Sequence, residues 1–161
     1  MNAAHGRSVV ATEENPLLVA AEGGHIDIVR TLIAHGATKD AVDMNGWTPL
    51  IIASLNGHVA IVEFLLEQGC DVDYASNAGS TALHFAAFSG HAEIAQLLLR
   101  RGANLNARTN DGLLPMTIAT LQSDSAVADA IRAEEIRRRD HGSTIPGTEE
   151  CEVARGARVE Q

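Results

Sequence analysis

Residues 46–58 read Gly46-Trp-Thr-Pro-Leu-Ile-Ile-Ala-Ser-Leu-Asn-Gly-His58, and residues 79–91 read Gly79-Ser-Thr-Ala-Leu-His-Phe-Ala-Ala-Phe-Ser-Gly-His91. The second stretch is the first displaced by 33 residues (79−46), keeping its Gly, Thr, Leu, Ala and closing Gly-His. Outward from it, the same step joins His25 to His58 and His91, and Gly36 to Gly69 and Gly102. It also joins Ala20 to Ala53, Ala86 and Ala119, and Gly46 and Gly79 to Gly112. Series that share one register are not a product of composition. A period between about 20 and 50 residues indicates stacked supersecondary units, none able to bury its apolar face alone. Such arrays present a surface, and few of them perform chemistry.

Each recurring residue type has a physical job. Thr48 and Thr81 stand where a side-chain oxygen caps a first helix, and Pro49 supplies a fixed φ in its first turn. Asn15 and Pro16 do the same earlier in the chain. Leu50, Ile52 and Ala53 point inward, the small Ala letting two helices approach. Gly57-His58 ends the first helix and starts a second, where Ile61, Val62, Leu65 and Leu66 recur at helical spacing. Gly69 suits the left-handed position that ends helices. About eight residues after it read as an extended hairpin with Asn77–Gly79 near its tip. Helix pairs are therefore expected to start near Pro16, Pro49, Ala82 and Pro115. Hairpins are expected around residues 43–46, 76–79 and 109–112.

This pattern resembles the ankyrin repeat, with its Gly-x-Thr-Pro-Leu-His-x-Ala-Ala stretch, Gly-His, and Leu-Leu-Leu-x-x-Gly-Ala ending. The last is met in Leu97-Leu-Leu-Arg-Arg-Gly-Ala103. The resemblance covers about residues 12–135. It implies an all-α, ankyrin-type solenoid of about four helix-pair repeats joined by short β-hairpin-like loops. The expected organisation is a flexible N-terminus (1–11), an array (12–139; units 12–43, 44–76, 77–109 and 110–139) and a disordered polar tail (140–161). The end units depart from the pattern. Glu13 and Glu14 replace the opening Gly, Leu114 replaces the capping Thr, and Ser123-Asp124 replaces Gly-His. The charged stretch from Ala133 to Asp140 supplies the polar outer face that an exposed array end needs.

Formal charge is −9 with 45% hydrophobic residues, the composition of a folded chain. An acidic balance argues against nucleic-acid backbones, which need clustered Lys and Arg. No apolar run reaches the roughly 20 residues that cross a bilayer, so no membrane partner is expected. The first residues lack a signal-peptide layout, although Arg7 and the missing acids leave a faint organelle-import reading. Cys70 and Cys151 cannot make a disulfide framework, and Cys70 falls where Ala37 and Ala103 stand, a small packing position. A cytoplasmic monomer is expected, with Arg137–Arg139 leaving a nuclear address open against the plainer reading of favourable charge at a helix C-terminus.

No catalytic, cofactor or metal site is expected. His25, His58 and His91 recur one per unit, too far apart to share one ion. The ankyrin resemblance implies that His84 hydrogen-bonds the backbone of an adjacent loop. No nucleophile triad, phosphate-cradling loop or Cys-x-x-Cys is present. The informative positions lie at the first-helix ends, Glu22, Leu55, Phe88 and Leu121, and just after each turn Gly, at Trp47, Ser80 and Leu113. The resemblance implies that these and the turn tips form a concave binding face. Most are large and apolar where polar residues are tolerated. Trp47, Leu55, Phe88, Leu113 and Leu121 are therefore candidate contacts for a protein partner, with Asp43, Met44, Asn45 and Asn77 at the turns. The plainer reading is packing against neighbouring hairpins. Asp40, Asp43, Asp71 and Asp73 lie on or near the hairpins and could steer a basic partner. Two functions fit: a protein-interaction module, or a dedicated regulatory subunit or assembly chaperone that occludes one enzyme or complex.

Overall fold

The computed structural model describes residues 15–143, which form eight helices in four pairs, with no strand among the described residues. The pairs are α1 (Pro16–Gly23) with α2 (Ile26–Ala34) and α3 (Pro49–Asn56) with α4 (Val59–Glu67). They continue as α5 (Ala82–Ser89) with α6 (Ala92–Arg100), and α7 (Pro115–Leu121) with α8 (Ser125–Ser143). All four first helices begin at the expected residue. The expected flexible N-terminus (1–11) lies outside the described residues, as does most of the expected disordered tail. Residues 140–143, assigned to that tail from composition, instead continue α8, whose last turn carries His141. Nothing before Gly142 there breaks a helix, and a basic side chain favours its C-terminus. The chain divides into two compact units, Met1–Ile131 and Arg132–Gln161.

Within the first unit, the first helices α1, α3 and α5 start on capped donors. The Asn15 side chain accepts from Leu17 N at 2.9 Å, and Thr48 Oγ1 accepts from Ile51 N at 3.2 Å. At α5 the cap is reciprocal: Thr81 takes the N3 amide, while its own amide donates to His84 Nδ1 at 3.0 Å. Such caps are worth about 1 kcal/mol each. Leu114, in the same position before α7, makes no side-chain cap.

The first helices α3 and α5 end on left-handed glycines, and at Gly57 (φ +82°) the reason is also steric. A Cβ there would stand 2.7 Å from the His91 ring of the next repeat. His91 Nε2 donates to the Leu55 carbonyl at 3.2 Å, and His58 Nε2 donates to the Glu22 carbonyl at 2.8 Å. His58 and His91 thus staple the second and third repeats to the ones before them. In the last repeat Ser123 takes the left-handed conformation (φ +60°), and Asp124 Oδ1 accepts from Val127 N at 3.1 Å to start α8.

The core runs as columns through the repeats. Val29, Val62, Ala95 and Ala128 are all buried, as are Ala20, Ala53, Ala86 and Ala119. First helices pack on first helices (α1 on α3, α3 on α5, α5 on α7), and each of α1, α3 and α5 packs on its own second helix. End position shows in one column: Ile61, Ile94 and Val127 are fully buried, but Ile28 is 50% exposed. Among the described residues, no repeat precedes Ile28 to cover it.

Two expectations follow. Leu65→Ala or Leu98→Ala, both wholly buried, should each cost about 2–5 kcal/mol. In so short an array that loss is felt by all the repeats, so urea melts should show a lower midpoint at every probe. A loss below about 1 kcal/mol would remove these leucines from the core.

His84 gives the second. Its Nε2 donates to the Leu113 carbonyl at 3.1 Å, so neutral Nδ1 is the acceptor facing Thr81. Burial holds its pKa below the ordinary 6.5, although the Leu113 and Ala107 carbonyls oppose that shift. A proton on Nδ1 would also turn the cap's acceptor into a donor. The folded pKa lies below the unfolded one, so the unfolded chain binds the proton first as pH falls. Stability is then full above about 6.5 and declines below it until the folded pKa is reached. Thermal melts from neutral to mildly acidic pH should show this decline, and His84→Gln should flatten it. An unchanged slope in that variant would mean that other groups carry the pH dependence.

Candidate functional site

The turns between repeats are built on oxygen-bearing side chains at one repeating position. Asp43 Oδ1 accepts from Asn45 N and Trp47 N, both at 2.8 Å. Ser76 Oγ accepts from Ala78 N and Ser80 N at 3.3 Å, and Thr109 Oγ1 accepts from Leu113 N at 3.0 Å. The main chain closes each turn across the same residues, as Asp43 N to Trp47 O, Ser76 N to Ser80 O and Thr109 N to Leu113 O.

Neighbouring turns are then tied by asparagine. Asn77 donates its amide N–H to Asn45 O and its side-chain Nδ2 to Met44 O. One repeat on, Asn110 donates to Ala78 O and Asn77 O in the same manner. The approach is close enough that a Cβ on Gly79 (φ +78°) would lie 2.8 Å from Asn110 N. Asp43 and Asn77 are therefore parts of the scaffold as well as exposed or half-exposed turn residues. The column of Asp43, Ser76 and Thr109, and that of Asn77 and Asn110, were both visible at the 33-residue step. Only their roles within and between turns were not.

Against this rigid row of turns lies an apolar groove of about 250 Å³, lined by Trp47, Leu55, Ser80, His84, Phe85, Phe88 and Ile118. It brings together three of the sequence-selected positions, Trp47, Leu55 and Phe88. Phe88 is 57% exposed, whereas Trp47 and Leu55 are half-buried. Trp47 sets its ring edge-on to Phe85 with centroids 5.1 Å apart, so part of its surface already belongs to the core. Phe85 and Ile118 were not singled out from the sequence. Both lie on the apolar side of their helices, where periodicity reads them as core. Leu113 is half-buried and Leu121 is 69% exposed, but neither lines this groove.

A second concavity, of about 230 Å³, holds Asp43, Met44 and Asn45 together with Leu18, Val19, Glu22 and Ile52. Met44 is 71% exposed and Val19 51%. The hairpin acids sit differently from one another. The carboxylates of Asp43, Asp71 and Asp73 are held by backbone amides, and Asp73 Oδ1 reaches across to Asn104 N at 2.8 Å. Lys39 pairs with Asp40 at 2.7 Å. The turn acids therefore contribute a fixed field more than reaching side chains.

Elsewhere the chemistry is quiet. Cys70 is buried, its Sγ 3.8 Å from the Lys39 carbonyl, and burial pushes its thiol up to about 12. Such a thiol is a packing residue and a poor nucleophile. In the second unit, Arg137 and Arg138 both bond Glu134 at 2.8 Å, which leaves less of the Arg137–Arg139 run for a receptor. No three His, Cys, Asp or Glu side chains converge as metal ligands among the described residues. No helix there is long and apolar enough to cross a membrane.

The repeats agree with what known families show. A family model described as ankyrin repeats (3 copies) matches residues 2–76, and one described as ankyrin repeats (many copies) matches residues 65–119. A search of curated proteins returns no match. The two models together span residues 2–119, well over half of the chain, and end before α8, where the sequence itself leaves the repeat pattern. With its repeating helix pairs and that match, the chain belongs to the ankyrin-repeat family, whose repeats serve as protein–protein interaction modules.

Proposed function

We propose that this chain binds a protein partner on the face formed by the first helices and the turn tips, and does no catalysis. Trp47, Leu55 and Phe88 are the anchors, with Met44, Asn45, Leu113 and Leu121 extending the contact. The single observation that carries this reading is the groove between α3 and α5, where a largely exposed phenyl stands beside the chain's only Trp. Exposed contiguous apolar surface on a folded protein marks a site of interaction. The stapled turns keep that surface pre-ordered, which lowers the entropy lost on binding. The buried thiol of Cys70 fits a reducing compartment such as the cytoplasm.

Phe88→Ala is the sharper test, because Trp47 also packs on Phe85 and its loss would perturb the fold. The phenyl touches solvent more than core, so circular dichroism and the melting curve should hardly change. Capture of partners from native extract, measured by mass spectrometry, should fall roughly 30-fold for an anchor worth about 2 kcal/mol. Glu63→Ala and Glu67→Ala, on α4 in the outer row of second helices, should leave capture unchanged. Undiminished capture by Phe88→Ala and Leu121→Ala, each with its fold intact, would move the binding site to another face. One partner recovered in fixed stoichiometry would favour the dedicated-subunit reading over an adaptor with several clients.

A further inference from the structure

The charges of this array are sorted by row. The first helices with their turns (residues 15–23, 43–56, 76–89 and 109–122) carry Glu22, Asp43 and Asp111, and no Lys or Arg at all. The second helices carry charges of both signs, among them Asp27, Arg30, Glu63, Glu93 and Arg100. The candidate binding face is therefore apolar and acidic over its N-terminal repeats, with the Arg108 guanidinium lying against the last turn, where it donates to the Gly112 carbonyl at 2.9 Å, while the opposite row is mixed. His84, the one titratable base on that face, is buried and shares its ring nitrogens with Thr81 and Leu113.

The two concavities on this face differ in a way that selects different side chains. The groove at Trp47, Leu55 and Phe88 offers apolar walls and no carboxylate. The concavity between α1 and α3 joins apolar Leu18, Val19, Met44 and Ile52 to the carboxylates of Glu22 and Asp43. Glu22 is exposed, and its carboxylate makes no hydrogen bond or ion pair with the described residues. Apolar walls ending in acid match one kind of side chain well: the aliphatic stem of Lys or Arg with its charged head.

We infer that the partner presents an apolar or aromatic side chain to the groove at Trp47 and Phe88 and a Lys or Arg to the concavity at Glu22 and Asp43. This rests on the binding face proposed above and adds the partner's chemistry and polarity. The basic residue lies toward the N-terminal end of the array. Adjacent helix rows are roughly 8–10 Å apart, so in an extended segment the two side chains fall about three residues apart at ~3.3 Å each. The acids add attraction at long range and therefore speed encounter as well as fixing orientation.

The test selects short random peptides on the full-length chain and measures the affinity of the winners by anisotropy, with Trp47 emission reporting groove occupancy. Selected peptides should carry Lys or Arg near an apolar or aromatic residue and should perturb the emission. Phe88→Ala should weaken them. Glu22→Lys, at an exposed position, should weaken them by about tenfold or more, and Glu22→Gln should reduce their salt dependence. Winners that lose affinity with Phe88→Ala but show no basic enrichment, or ignore Glu22→Lys, would overturn the inferred chemistry and leave the face standing. A selection with no winner sensitive to Phe88→Ala would overturn both.

Discussion

No helix pair in this chain can close its own core, and every other feature answers to that constraint. The buried column of Ala20, Ala53, Ala86 and Ala119 runs along first helices that pack on the first helix of the adjacent repeat as much as on their own second helix. Stacking must therefore be accurate to the residue. Three polar devices enforce the register: His58 and His91 at second-helix starts, Asn77 and Asn110 at turn tips, and Asp73 reaching Asn104. Each hydrogen bond contributes only about 1 kcal/mol net. Their value lies in direction, because apolar contact between helix rows does not by itself choose one sliding position over another.

The same constraint explains why the ends look irregular. In the middle repeats, Gly57 is required both by its positive φ and by the His91 ring packed on it. In the last repeat Ser123 adopts the same left-handed turn without the glycine, and Asp124 replaces the histidine with a helix cap. The chain keeps the geometry of the turn while dropping the residue types that serve stacking. At the other end, Ile28 keeps an inward-type residue in a half-exposed position. The family match stops at residue 119, just before Ser123-Asp124 departs from the Gly-His pattern.

Helix starts, the core and the repeat count were legible because each depends on residues near in sequence or at a fixed step. Pro16, Pro49 and Pro115 mark their helices directly, and Leu65 or Leu98 is read from helical spacing. The site was legible only in part. Trp47, Leu55 and Phe88 were chosen by offset, and they do share one groove. What offset cannot supply is how much of a side chain its neighbours already use. Trp47 is half taken up by Phe85, and the Asp43 carboxylate is engaged by its own turn. Phe85 and Ile118 escaped notice because a groove wall and a core position have the same periodicity. The tail was set to begin at residue 140 from composition, whereas α8 runs on to Ser143.

Division of labour between the two helix rows connects this scaffold to its function. Solubility demands charge somewhere, and here charges of both signs sit largely on the second helices and the loops that follow them. That leaves the first-helix row free to hold Phe88, Leu121 and Met44 in water, at 57%, 69% and 71% exposure. Such exposure is an aggregation hazard unless like charge is kept beside it. Glu22, Asp43 and Asp111 supply that charge, with Arg108 standing only against the last turn. Two copies of this face would bring acid against acid, and apolar area alone would have to overcome the repulsion. A partner carrying the opposite charge meets no such opposition. On the proposed reading, the same acids that oppose self-pairing favour a basic partner.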